Sequence, residues 1–257
     1  PHFDLSCCIL KQYIYNVNIV TTGQPDRDKQ EIIMAVNLES TSTVSLSGLK
    51  VCVYGGAGSG KTVLTTTLPS PVILSAEGGL LSIADAGLPF VDIDGMEALR
   101  EAYAWLSDSD EAKQFESVAL DSISEIAEVC LAAEKAVAKD PRQAYGEMQT
   151  TMSEVIRLFR DLPKNVYFTA KMEKSQDELG RVLYAPSMPG QKLGQSLPYF
   201  FDIVAALRTE KDADGTIQRA LMLHSDGVWQ AKDRSGKLDA WEAPDLGAII
   251  KKVRGES

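Results

Sequence analysis

The sequence predicts an α/β fold: a mostly parallel sheet with helices on both faces and antiparallel strands added at one edge near the C-terminus. Three observations carry this. Short apolar, β-rich runs alternate with helical stretches over residues 49–210, which is how strand–helix–strand crossovers read. The first run breaks into a glycine-rich loop followed by a helix signal. Beyond residue 210 the chain turns to alternating polar and apolar stretches with turn residues between them.

Taken in order, residues 49–54 (LKVCVY) form an apolar run that ends in glycines and read as a buried strand. A helix is expected from 61 to about 68, stopped by Pro69 and Pro71. Residues 72–75 are a second strand. Residues 96–107 are helical, with apolar side chains at 99, 102, 103 and 106. Residues 117–120 are a third strand running into Asp121. Ser122 and Glu125 form a capping box that opens a helix to about 138. A further helix spans 145–162, with Met148, Met152, Val155, Ile156 and Phe159 along one face and Pro163 behind it. Residues 165–170 are a fourth strand, 178–185 a hairpin arm, 191–199 a short helix and 202–208 a fifth strand. Residues 216–223 and 228–231 alternate and meet at Asp226-Gly227, a hairpin signal. Residues 243–253 are a terminal helix.

Composition narrows the class. The chain has 257 residues, long enough for one large domain without staples. Its net charge of −10 excludes a protein coated with basic surface, although a local basic track would suffice for nucleic acid. The four cysteines (Cys7, Cys8, Cys52 and Cys130) make no CxxC pair, and there are two histidines, so a zinc site is not expected. Cys52 and Cys130 fall on apolar patterns and read as small core residues in a reducing cytoplasm. No apolar run reaches the roughly 18 residues of a membrane span. The start is a poor signal peptide. The first Met is Met34, and Gln30-Glu31 can be encoded by a stretch containing AGGAG, like a bacterial ribosome-binding site. Residues 1–33 are therefore expected to be a translated leader or a poorly ordered extension, with the boundary at about 45 and one domain over 46–257.

Gly55-Gly56-Ala57-Gly58-Ser59-Gly60-Lys61-Thr62 matches G-x-x-x-x-G-K-[ST], with a strand before it and a helix signal after it. Glycines let backbone N–H groups turn inward around phosphates. Lys61 supplies a point charge, the Thr62 hydroxyl a ligand for Mg²⁺, and the helix start through Val63 its dipole. Asp121 ends a neighbouring strand, where an acid would hold the metal through water; otherwise it only caps the next helix. Glu77 ends another strand before Gly78-Gly79. It is a candidate to deprotonate the attacking water, or else a surface acid before a turn.

The ordered set GGAGSGKT, LSAEGG, VALDSIS, QAYGEM, NVYFTAKMEK, GRVLYAPSMPGQKLGQSLPYFFDIVAALR and QAKDRSGKLD resembles the RecA-like P-loop NTPases. It is closest to a phage-encoded group of small single-strand annealing or recombination proteins described as nucleotide-binding or AAA-domain proteins. The resemblance covers about residues 46–253. It implies ATP and Mg²⁺ as cofactors, Glu77 as the catalytic glutamate and Asp121 as the metal-linked aspartate. It also implies Thr169 and Lys171 as γ-phosphate sensors, and DNA-facing loops at 142–149 and 172–192. Arg142, Lys174, Arg181, Tyr184 and Lys192 are the DNA-contact candidates, since cations and an aromatic suit a single strand. Glu173, Asp177 and Glu178 dilute that charge, and an ordinary hairpin is the other reading. Lys232-Asp233-Arg234-Ser235-Gly236 fits a K-x-R-x-G pattern that such ATPases deliver into a neighbouring subunit's site, the arginine-finger logic; otherwise it is a hairpin turn.

The expected function is thus an oligomeric ATPase, ring or filament, that binds single-stranded DNA for annealing or recombination, with a single-strand-binding protein as a possible partner. The alternatives are a nucleotide-gated single-strand-binding module with little turnover, and a P-loop kinase of a small molecule. An Arg-rich lid that such a kinase would need is not evident.

Overall fold

Strand β1 (Lys50–Gly55) is buried at every position, as the apolar run predicts, and lies at the middle of the sheet. The structure is a computed structural model and describes residues 48–256. The leader reading of residues 1–33, Cys7 and Cys8 lie outside the described residues. The strands that follow are β2 (Pro71–Ser75), β3 (Phe90–Asp92), β4 (Ser117–Asp121), β5 (Asn165–Gln176), β6 (Val182–Pro186), β7 (Ile203–Lys211), β8 (Ile217–Met222), β9 (Lys232–Asp233) and β10 (Trp241–Glu242). The sheet order is β10-β8-β7-β1-β5-β4-β2-β3, with β6 paired to β5 and β9 to β7. From β7 to β3 every pairing is parallel, and β8, β9 and β10 add antiparallel strands at the β7 edge. The fold is the mostly parallel α/β architecture that the alternation implies.

Helices α1 (Met96–Asp108), α2 (Ile123–Val137) and α3 (Pro141–Arg160) cover one face, and α5 (Leu246–Arg254) the other; α4 (Gln191–Ser196) is a short connector. Alternation along β1 sorts its side chains. Cys52 and Tyr54 enter the core under α1–α3, while Val51 and Val53 enter the core under α5. Because β5 is inserted between β1 and β4, the two strands that end in the glycine-rich loop and Asp121 are not neighbours.

Four expectations need correction. The segment after the glycine-rich loop is a five-residue 3₁₀ helix, Val63–Thr67, in which Thr65, Thr66 and Thr67 bond back to carbonyls three residues earlier. So short an element has little dipole to offer a phosphate. Helix α3 begins at Pro141, with Asp140 accepting from the Arg142 N–H, so residues 142–149 are helix and not a loop. Asp226-Gly227 does not close a hairpin between 216–223 and 228–231. β8 instead pairs with β7 over six residues, a longer ladder than 228–231 could offer. Asp226 is spent on its own turn, accepting from the Val228 and Trp229 N–H groups. Finally, β3 is an additional three-residue edge strand.

Helix α5 is seated on the 3₁₀ helix. Its Leu246 N–H donates to Thr67 Oγ1 at 2.9 Å, and a Cβ on Gly247 would stand 2.6 Å from the Thr67 carbonyl oxygen. Gly247→Ala is therefore expected to lower stability by about 1–3 kcal/mol, as overpacking against backbone does. A shift in the urea midpoint at unchanged m-value would read it.

Candidate nucleotide site

The C-terminal ends of β1, β2, β4 and β5 open onto one edge of the sheet, where open α/β sheets bind ligands. Beyond β1 the loop Gly55–Lys61 turns with positive φ at Gly58 and Gly60, conformations that glycine adopts without strain. Lys61 Nζ donates to the carbonyls of Gly55 and Gly56 at 3.0 and 3.1 Å. Burial pushes its pKa below the ordinary lysine value, while the charges of Glu77 and Asp121 pull it back up. Ser59 Oγ is buried with no hydrogen-bond partner. That orphan hydroxyl inside the loop, with the inward-turned backbone, fits a phosphate as its acceptor.

Asp121 is 2% exposed and accepts two hydroxyls: Thr62 Oγ1 at 2.6 Å and Thr169 Oγ1 on its other oxygen. The register explains the second contact. Leu120 lies beside Phe168, so Asp121 falls beside Thr169. Glu77 follows β2, whose Ser75 lies beside Asp121, and the Ala76 N–H donates to the Asp121 carbonyl at 2.7 Å. Ser122 Oγ donates to Glu77 Oε1 and also accepts the Glu125 N–H, so the N-cap residue of α2 holds the Glu77 carboxylate; the other half of the expected capping box is not formed, because the Glu125 carboxylate bonds Lys171. Among the described residues no three His, Cys, Asp or Glu side chains group to hold an ion. A metal here would take the Thr62 hydroxyl, phosphate oxygens and waters, with Asp121 behind. That hard-oxygen set suits Mg²⁺.

A family model described as an AAA domain matches residues 47–235, from just before β1 through β9. The chain belongs to the AAA-domain family. This AAA-domain protein is accordingly a nucleotide-binding P-loop ATPase. No curated protein matches the chain. No helix among the described residues is long and apolar enough to cross a membrane.

Other candidates sit elsewhere in the AAA domain. Lys171, two residues past Thr169, pairs with Glu125 at 2.6 Å and Glu128 at 3.1 Å on α2, and the Glu125 bond raises its pKa. Lys232 donates to the Pro198 carbonyl. Arg234 donates to the Tyr199 carbonyl at 2.7 Å and lies 3.7 Å from Asp202. Both are on or next to β9, which pairs with Ile203 and Val204 at the start of β7, level with Val51 and Cys52. Three to four residues of β1 at about 3.3 Å each separate that level from Gly55, where the glycine-rich loop begins. Neither cation therefore reaches the chain's own phosphate loop.

Past Lys171, β5 leaves the core and pairs with β6 as an arm, with Lys174 opposite Tyr184. Lys174 is exposed. Arg181 is paired to Asp177 at 2.6 Å across the turn. The Tyr184 ring is stacked on Trp229 at 4.1 Å, so one of its faces is already covered. Arg142 is exposed on the first turn of α3 and Lys192 on α4.

Two contacts at the phosphate loop escape sequence reading. Tyr167 hydroxyl donates to the Lys61 carbonyl at 2.9 Å, from the middle of a strand that reads as core. Arg219 Nε donates to the Ser59 carbonyl at 2.9 Å, across 160 positions of chain. Nothing local to either residue signals the contact.

Proposed function

We propose that this AAA-domain protein hydrolyses ATP to act on single-stranded DNA, as an oligomer engaged in annealing or recombination. The observation that carries the reading is the course of β5. One strand holds Thr169 against Asp121 and then becomes the arm bearing Lys174, Arg181 and Tyr184. A change at the metal-linked carboxylate is thereby transmitted along a covalent, hydrogen-bonded strand to an exposed arm.

In this reading Gly55–Val63 cradle the phosphates, Lys61 meets the β- and γ-oxygens, and Thr62 and Asp121 hold Mg²⁺. Glu77 takes the proton of the attacking water, Thr169 and Lys171 sense the γ-phosphate, and the arm, with Arg142 and Lys192, meets the DNA. Lys232 and Arg234, being remote from their own loop, would serve a neighbouring copy's site after releasing the Pro198 and Tyr199 carbonyls. A single-strand-binding protein would be the partner that presents the DNA.

The test is ATPase rate with and without a single-stranded oligonucleotide. The expected result is stimulation that falls with added salt, since counterion release dominates such contacts. A rate indifferent to DNA, together with single-strand affinity that salt does not change, removes the DNA reading and leaves an ATPase with another client.

A further inference from the structure

The Ser59–Gly60 peptide of the phosphate loop can turn over about a glycine. Gly60 sits at φ +106°, and glycine accepts either sign of φ, so a flip of this peptide meets little steric resistance. What holds it is Arg219 on β8. Its Nε donates to the Ser59 carbonyl at 2.9 Å, and its Nε and Cδ lie 3.3 and 3.6 Å from where a Cβ on Gly60 would stand. The guanidinium is exposed and in no ion pair among the described residues, so this carbonyl is its recorded partner.

A trans peptide is planar, with its C=O and N–H pointing in opposite directions. A Ser59 carbonyl held by Arg219 of β8 therefore aims the Gly60 N–H the other way, away from β8. The same loop leans on the neighbouring strand as well: a Cβ on Gly55 would stand 3.1 Å from the Leu207 carbonyl oxygen of β7. The loop is thus backed by β7 at Gly55 and by β8 at the Ser59–Gly60 peptide.

We propose that Arg219 is a positioning residue of the nucleotide site. It acts through the Ser59 carbonyl, by setting the direction of the Gly60 N–H toward the phosphates. The inference rests on the chain being a nucleotide-binding ATPase and not on DNA. Because the loop meets phosphates that ATP and ADP share, both nucleotides should feel the loss alike. Turnover at saturation should not.

The test is titration of the full chain with fluorescently labelled ATP and ADP, beside steady-state ATPase, for three variants. Arg219→Ala removes the donor and the charge. Arg219→Lys keeps the charge but carries its nitrogen one atom further out. Arg219→Gln drops the charge but keeps an N–H donor the same number of bonds from the backbone as Nε. Arg219→Ala and Arg219→Lys are expected to weaken both nucleotides by about 5- to 10-fold, the size of one ordinary hydrogen bond, with Arg219→Gln within about twofold of wild type. The rate at saturating ATP is expected to stay within about twofold throughout. Arg219→Lys binding like wild type while Arg219→Gln is weak would overturn the proposal in favour of plain charge attraction. Unchanged affinity in Arg219→Ala, or a fall in saturated rate without a change in affinity, would overturn it as well. A wild-type chain that binds neither nucleotide would take away the nucleotide reading itself, a different outcome from variants that match a binding-competent wild type.

Discussion

Glu77→Gln is expected to bind ATP as the wild type does and to turn it over about 10²- to 10⁴-fold more slowly, the span that general-base catalysis contributes. The substitution is nearly isosteric. Its amide oxygen still accepts from Ser122 Oγ, which in turn still caps α2 through the Glu125 N–H, so the local structure has no reason to move. What is lost is a carboxylate that can take a proton from water. The carboxylate stands at the end of β2, on the edge where Lys61 and Asp121 also lie, and both acids act on the Lys61 charge. Nucleotide affinity and steady-state rate measured side by side would decide. A variant that turns over at the wild-type rate would remove Glu77 from the chemistry and return it to a structural partner of Ser122.

Asp121 should be the least replaceable side chain of the site. It serves two hydroxyls at once, the half-buried Thr62 from the phosphate loop and the buried Thr169 from β5. Asp121→Asn keeps volume and one acceptor; it is expected to fold, but to lose ATPase activity by about 10²-fold or more at any Mg²⁺ concentration, as removal of a transition-state charge partner does. Asp121→Ala is expected to cost a further ~2 kcal/mol of folding stability, because the fully buried Thr169 hydroxyl is left without its acceptor. A Mg²⁺ series of the ATPase rate, read against urea unfolding of both variants, separates the two effects. Full activity of Asp121→Asn at high Mg²⁺ would show that the carboxylate's charge is not needed at the metal.

How much of this was legible in the sequence depended on range. The phosphate loop, the strand running into Asp121 and the Ser122 cap of α2 are written in adjacent residues, and the structure places them together. The N-cap Asp140 and Pro141 at the first helical position were equally local signals for α3, yet the apolar face that begins at Met148 hid the helix's first turn. β3 has only three residues and one face to solvent, too little periodicity to read. The choice of β7 over residues 228–231 as the partner of β8 is a competition between two pairings, and alternation alone cannot rank them. Arg219 was out of reach altogether, since an exposed arginine on a strand has no mark of a carbonyl 160 positions away.

The double life of β5 has a mechanical corollary. From Thr169 to Lys174 is five residues, about 17 Å at the rise of a strand, and no loop interrupts them. In the proposed reading such a segment would serve as a connecting rod and not a tether, its far end moving when its near end moves. Side chains two apart share a face, so an insertion of one residue between Thr169 and Lys174 would turn the arm's faces over while leaving both ends chemically intact. Phase, as much as composition, is what this rod must preserve.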